Sequence, residues 1–122
     1  MANERSAAIK IGSREYELVL TTRATKEIGE KFGGLDKIGS KLTDSKDVAE
    51  SLSLVCWLIA LLANQAILRH NLESGEDKPL LKEEDVEILT SPADLNSYVE
   101  AIMECLVKGT KRDVQGEEDP KN

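Results

Sequence analysis

Residues 51–72, SLSLVCWLIALLANQAILRHNL, form a long apolar segment that contains neither Gly nor Pro. Nothing in this segment stops a helix, and Thr43, Asp44 or Ser45 before it can serve as the N-cap. Asp47 would then favour the positive end of the helix dipole. A helix that continues to about residue 72 would have about 27 residues and a length of about 40 Å. We call this helix the spine and expect the rest of the chain to pack around it.

The spine is apolar on more than one side. At 100° per residue, one broad face is formed by Val48, Leu52, Val55, Cys56, Ile59, Leu62, Ala63 and Ala66. Five more large apolar residues lie off that face, namely Leu54, Trp57, Leu58, Leu61 and Leu68. A helix that is apolar almost all round is buried almost all round. Either the flanking helices of the same chain or a second subunit must cover the second set, which we take as a hypothetical partner or oligomer interface.

The N-terminal part predicts a β-hairpin over residues 7–20. Apolar side chains alternate along two short stretches, and Gly12-Ser13 between them suits a tight turn because Gly accepts a positive φ. The alternating residues are Ile9, Ile11, Tyr16, Leu18 and Leu20. Because an isolated hairpin is marginally stable in water, this one must pack on other elements.

The residues that follow the hairpin predict a helix from about Arg23 to Phe32. Thr21 or Thr22 can cap its start, and Gly33 suits the left-handed position that ends a helix. Its one apolar edge consists of Ala24, Ile28 and Phe32. The next stretch, LDKIGSKL, predicts a short second helix that Gly39 weakens.

Two further helices are predicted after the spine. LLKEEDVEIL is acidic and helical in pattern, with Leu81, Val86 and Leu89 as inward positions. The last helix has Ser91 as N-cap, Pro92 at the first helical position and Asp94 as the capping-box acid, and we expect Gly109 to end it. Its apolar stripe consists of Leu95, Tyr98, Val99, Ile102, Cys105 and Leu106.

Length and composition place this chain among single globular domains. Its 122 residues are 40% hydrophobic and 32% charged, with only 3% aromatic residues. We therefore predict an α+β, mostly α fold in one domain over 1–109, with a hairpin over 7–20, helices over 22–108 and a disordered polar tail over 110–122.

Charge and segment lengths limit the partners and the compartment. The net charge of −7 disfavours nucleic acid, because phosphate contacts need clustered Lys and Arg. The longest unbroken apolar run, LVCWLIALLA, is shorter than the roughly 20 residues of a membrane span, and the N-terminus lacks a signal-peptide pattern. We expect a cytoplasmic protein without a membrane partner.

The residues give little sign of catalysis or metal binding. Cys56 and Cys105 stand among apolar neighbours without the spacing of a metal site, and are expected to be buried thiols. His70 is the only histidine and suits a surface role near the end of the spine. No phosphate-binding glycine loop is present. We predict a non-enzymatic protein without a catalytic, cofactor or metal site.

The order of the N-terminal elements resembles a known family. Residues 9–34, IKIGSREYELVLTTRATKEIGEKFGG, join a short hairpin to a helix that ends in Phe-Gly. This arrangement, followed by a long apolar helix and a polar C-terminus, is similar to the phage tail assembly chaperones, small proteins encoded before the tape measure in long-tailed phages, prophages and gene transfer agents. The resemblance covers about residues 7–108 and rests on the type and order of elements.

The resemblance implies a protein that coats the tape measure protein and helps to bring tail tube subunits to it, in the bacterial cytoplasm and as a homo-oligomer. In that family a ribosomal frameshift often extends the short product near its end. The competing prediction is a small helical regulatory or ligand-binding domain, also oligomeric, with a pocket among the spine, the last helix and the hairpin. An enzyme that uses His70 is a weaker third possibility.

Overall fold

The computed structural model describes residues 6–44 and 47–118, and for Ser6 and the ranges 43–44 and 111–118 it describes the backbone only. The predicted fold class is confirmed: an N-terminal antiparallel hairpin is followed by five α-helices, one of them long and apolar. The elements are β1 (Ser6–Ile11), β2 (Arg14–Val19), α1 (Thr22–Phe32), a 3₁₀ turn (Leu35–Lys37), α2 (Ile38–Asp44), α3 (Val48–Ser74), α4 (Glu83–Leu89) and α5 (Pro92–Glu118).

The spine is α3, and it has the predicted length of 27 residues. Its N-cap is Asp47, whose Oδ1 accepts a hydrogen bond of 3.0 Å from the N–H of Ala49. The caps predicted at Thr43, Asp44 or Ser45 are therefore wrong, because the helix begins only at Val48. The chain leaves the spine through Gly75, whose φ of 82° lies in the left-handed region.

The hairpin packs on the spine and on α5. Ile9 pairs with Tyr16 and Ile11 with Arg14 across the sheet, and Gly12 adopts φ 63° in the turn, as predicted. The buried side chains of the sheet's inner face are Ile9, Ile11 and Leu18. The Tyr98 hydroxyl on α5 donates a hydrogen bond to the Lys10 carbonyl, which ties β1 to the last helix. The two strands thus form one layer over two helices.

Helix α1 has the predicted caps and the predicted apolar edge. The Thr21 Oγ1 accepts a hydrogen bond of 3.1 Å from the Ala24 N–H, and Gly33 ends the helix with φ 94°. The buried residues of α1 are Ala24, Ile28 and Phe32. The predicted short second helix is found as the 3₁₀ turn followed by α2.

The start of α5 is confirmed, but its predicted end is wrong. The Ser91 N–H donates to Asp94 Oδ2 at 2.9 Å, and the Asp94 N–H donates to Ser91 Oγ at 3.3 Å, which is the predicted capping box. The helix continues through Gly109 to Glu118, into the range predicted as tail, and 119–122 lie outside the described residues. A Cβ on Gly109 would lie 2.7 Å from the Leu20 Cβ. This glycine therefore permits close packing against Leu20 and does not stop the helix.

Two residues expected in the core are exposed. Val48 is 71% exposed because it occupies the first turn of the spine, beyond the elements that cover the later turns. Leu89 is about half exposed at the last residue of α4, although it lies beside Gly12 of the hairpin turn. Leu81 and Val86 are buried as predicted.

We predict that Gly109→Ala lowers the free energy of unfolding by about 1–3 kcal/mol, because the new methyl group would overlap Leu20. Urea unfolding followed by circular dichroism measures the change. Gly29→Ala in α1 is the matched control, since no atom lies within 4 Å of the added Cβ. That control should raise stability by about 0.5–1 kcal/mol. Equal effects of the two substitutions would contradict the close approach of α5 to Leu20.

Candidate partner-binding site on the spine

The spine is buried along a wide arc of its surface. The buried residues are Val55, Cys56, Leu58, Ile59, Ala60, Leu62, Ala63 and Gln65. Strand β2 and helices α4 and α5 pack against the spine, so the hairpin and both later helices share one core. Leu52 and Ala66, which were also expected on the core face, are only partly buried.

A stripe on the opposite side of the spine is only partly covered. Leu54, Trp57, Leu61 and Leu68 are partly buried, and Leu72 is 86% exposed. At 100° per residue these five lie within about 60° of one another, so they share one face. We call them the outer stripe. Leu58, which was grouped with this set from the sequence, is fully buried and belongs to the core.

Helix α1 covers one side of the outer stripe at Trp57. The rings of Trp57 and Phe32 have centroids 6.0 Å apart and are tilted by 46°, and the Lys31 Nζ lies 4.9 Å from the Trp57 ring centroid. Both arrangements are favourable aromatic contacts. An open groove of about 490 Å³ borders this ring, and the residues that line it are Arg23, Lys26, Glu27, Glu30, Lys31 and Trp57. The chain thus supports Trp57 from one side and leaves a charged groove beside it.

Gln65 fixes α1 on the spine. This buried side chain accepts a hydrogen bond from the Thr21 hydroxyl and donates one of 3.1 Å to the Leu61 carbonyl. Thr21 therefore caps α1 and also anchors it, because its oxygen accepts from Ala24 while its proton goes to Gln65. Sequence reasoning found the cap but missed the anchor. The sequence did contain a signal for this anchor. Gln65 is a polar residue among apolar positions of the spine, and a buried polar side chain normally has a hydrogen-bond partner.

Two asparagines hold the segment 75–82, which we call the strap, along the second half of the spine. Asn64 donates to the Leu81 carbonyl at 2.8 Å and accepts from the Leu81 N–H at 2.7 Å. Asn71 makes the same pair of contacts with Lys78, at 3.2 and 3.0 Å. Each amide side chain thus pairs with the backbone N–H and C=O of one residue, as a residue of a neighbouring β-strand would. The two asparagines lie about two helical turns apart on one face, a spacing that sequence reasoning missed.

His70 belongs to the strap contacts. Its Nε2 lies 2.5 Å from the Glu76 Oε1, and both side chains are exposed. The hydrogen bond from His70 lowers the pKa of the Glu76 carboxyl. The described residues place no hydroxyl or thiol nucleophile in a hydrogen bond with His70. Its position agrees with the predicted surface role near the end of the spine.

A second groove, of about 600 Å³, lies between the hairpin and the strap. Ala63, Ala66, Ile67 and His70 of the spine contribute to it, with Arg14–Glu17 on one side and the strap residues 78–81 on the other. This groove is not in the position of the predicted pocket, which was expected among the spine, the last helix and the hairpin. The strap lines it where α5 was expected. Among the described residues, no buried side-chain nitrogen or oxygen lacks a hydrogen-bond partner.

The two thiols are buried, and burial raises the pKa of Cys56 to about 11 and that of Cys105 to about 12. Glu87 and Glu83 add to the shift at Cys56. Within the described parts of the chain, no three His, Cys, Asp or Glu side chains form a group that could hold a metal ion.

One described helix, Val48–Ser74, is long and apolar enough to cross a membrane. Its most apolar 18-residue window has a mean hydropathy of 1.9, and 44% of that window is buried inside the protein. A core helix meets the same criteria of length and composition, so these values alone are weak evidence for a membrane span.

Comparisons of the chain with protein-family models, curated proteins and solved structures found no match.

We predict that Asn64→Ala lowers the free energy of unfolding by about 2 kcal/mol or more, whereas Asn71→Ala costs less than about 1 kcal/mol. Asn64 pairs with the backbone of buried Leu81, so its loss leaves the N–H and the C=O of Leu81 without these partners at a site shielded from water. Asn71 is bonded at an exposed site, where water can replace it. Urea unfolding of both variants measures the difference, and the reverse order would contradict the greater burial of the contact between Asn64 and Leu81.

We predict that both thiols resist a thiol-reactive disulfide reagent in the folded chain at pH 8. A pKa near 11 or above reduces the reactive thiolate by about a hundredfold relative to an unfolded cysteine, and burial blocks the reagent as well. Because folding raises the pKa of both thiols, the protonated thiols contribute fully to the free energy of unfolding below about pH 9. That contribution is lost as the pH rises toward 11, because the thiols then ionise more readily in the unfolded chain. Absorbance of the released leaving group should report two thiols only after urea is added. Rapid reaction of either native thiol would contradict the packing of α3 and α5.

Proposed function

We propose that this protein is a non-enzymatic tail assembly chaperone of a phage or prophage, which binds the tape measure protein and helps to recruit tail tube subunits. It acts in the bacterial cytoplasm as a homo-oligomer. The observation that carries the proposal is the outer stripe, five large apolar residues that are partly or largely exposed on the face opposite the buried arc of the spine. The order of hairpin, short helix and long apolar helix supports it through the family resemblance.

The outer stripe has the chemistry that an apolar helical client requires. Leu54, Trp57 and Leu61 lie at positions i, i+3 and i+7, and Leu68 and Leu72 continue the row. An amphipathic helix in a groove is bound through anchors at this spacing. Full burial of a Leu side chain contributes about 1.5–3 kcal/mol, so the partly buried leucines of the stripe can gain part of that free energy when a partner covers them. The client is therefore inferred to present an apolar helix.

The overall charge suits a protein with such a surface. A net charge of −7 favours solubility, which offsets the tendency of apolar patches to cause non-specific aggregation. The same charge disfavours phosphate backbones as partners. The apolar stripe and the negative charge are therefore both compatible with a protein partner.

One observation favours a second candidate, a regulatory or ligand-binding domain. The groove between hairpin and strap is about 600 Å³ and carries Tyr16, His70 and Lys78 beside an alanine-rich floor. Its volume is within the range of small-molecule sites. Light scattering with size-exclusion chromatography separates the candidates. A ring, a filament or a concentration-dependent series of sizes favours the assembly proposal, whereas a closed dimer favours the ligand-binding domain and a strict monomer counts against assembly.

We predict that Trp57→Asp and Leu72→Asp each weaken binding to the tape measure protein of the same phage or prophage by at least about tenfold. A charge on the outer stripe would have to be desolvated, and a tenfold loss corresponds to about 1.4 kcal/mol. Titration calorimetry measures the dissociation constants. Leu72 is largely exposed, so Leu72→Asp tests the surface even where Trp57→Asp disturbs the fold.

Val107→Asp is the matched control for these variants. Val107 is an exposed apolar residue of α5 outside the outer stripe, and its substitution should leave the dissociation constant unchanged. Binding that is insensitive to both stripe variants, or equally sensitive to Val107→Asp, would refute the proposal.

A further inference from the structure

The groove beside Trp57 differs in charge from the rest of the chain. Three positive side chains and two negative ones line it, while the chain as a whole has a net charge of −7. Among the described residues, Arg23 and Lys26 make no ion pair with their own chain. Both are exposed on α1, on the side of the helix that faces the groove. The lining of the groove therefore has one more positive than negative side chain, next to an aromatic ring.

A complementary surface lies on α4 of the same chain. Glu84 and Ile88 lie on the side of this helix that is opposite the fully buried Val86, and exposed Glu87 lies about 100° from Val86, at the edge of that side. Ile88 is 81% exposed, and neither Glu84 nor Glu87 has an ion pair within the described residues. Helix α4 contains four acidic residues and no basic one. It presents an exposed isoleucine beside carboxylates, whereas the groove has an aromatic ring beside cations.

We infer that the groove beside Trp57 binds the outward face of α4 from a second copy of this chain. A face directed away from its own core cannot reach the groove of its own molecule, so the contact forms between molecules. Carboxylates of α4 would lie near Arg23 and Lys26, and Ile88 would contact the Trp57 ring. Such complementary charges fix orientation and register at an interface.

Two different surfaces meet in this contact, so each molecule has one groove and one α4 to offer. Contacts of this heterologous kind generate rings when the rotation closes and filaments when it does not. The inference rests on the homo-oligomer included in the proposed function. Its test uses this chain alone, so a failure to bind a tail protein and a failure of this contact are separate results.

A charge exchange tests the contact with the full-length chain. The groove variant carries Arg23→Glu and Lys26→Glu, and the helix variant carries Glu84→Lys and Glu87→Lys. Each variant alone has like charges on both surfaces and should self-associate at least about tenfold more weakly than the unmodified chain in sedimentation velocity. An equimolar mixture restores opposite charges in both pairings, and its association should return to within about threefold of the original.

Lys37→Glu with Lys41→Glu is the matched control, since it changes the net charge by the same amount as the groove variant at exposed residues of another part of the surface. It should associate like the unmodified chain, and circular dichroism should confirm that all variants fold. A monomeric unmodified chain, a groove variant that associates normally, a control that weakens association equally, or a mixture that stays dissociated would each overturn the inference.

Discussion

Burial of the spine's wide apolar arc is the interaction on which the other elements depend. The hairpin has only two strands, and α4 has seven residues, so neither would be stable without a surface to cover. The spine provides that surface over several turns, and β2, α4 and α5 each bury part of it. Fully buried residues such as Leu58, Ile59 and Leu62 each contribute about 1.5–3 kcal/mol through the apolar area they remove from water.

Polar side chains on the same helix decide how the remaining segments are attached. Gln65 binds Thr21 at the start of α1, and Asn64 and Asn71 bind the backbone of the strap. These bonds are directional, so they fix the position of α1 and the strap more narrowly than apolar contact would. Because α1 is attached at Thr21 and packs by Phe32 against Trp57, it stops short of covering the whole outer stripe. The partly open face thus follows from where the polar anchors lie.

Local signals in the sequence were sufficient to predict both ends of α1 and the start of α5, where capping residues are present. Thr21 and Gly33 of α1, and Ser91 with Asp94 of α5, act within four residues of the backbone groups that they satisfy, so the pattern alone predicts them. The error at Gly109 arose because a glycine that ends a helix and one that admits a neighbouring side chain look alike until Leu20 is placed beside it.

Contacts between distant segments could not be predicted in this way. Helical periodicity gives the direction of each spine residue but not the element that covers it, which is why Leu58 was grouped with the outer stripe and Val48 with the core. The anchors at Asn64, Gln65 and Asn71 depend on segments 7 to 44 residues away in the chain. Only part of the candidate site could be predicted from the sequence. Helical periodicity predicts the outer stripe, but the charged groove beside Trp57 depends on where α1 packs, which periodicity does not give.

Trp57 is the only tryptophan in the chain, so its fluorescence reports directly on the outer stripe. Its own chain leaves this face partly open, and we propose that a partner covers it. Iodide quenching of Trp57 should therefore be measurable in the dilute protein and should fall, with a blue shift of the emission, when the tape measure protein is added. Quenching and emission that stay unchanged at saturating partner would contradict the account.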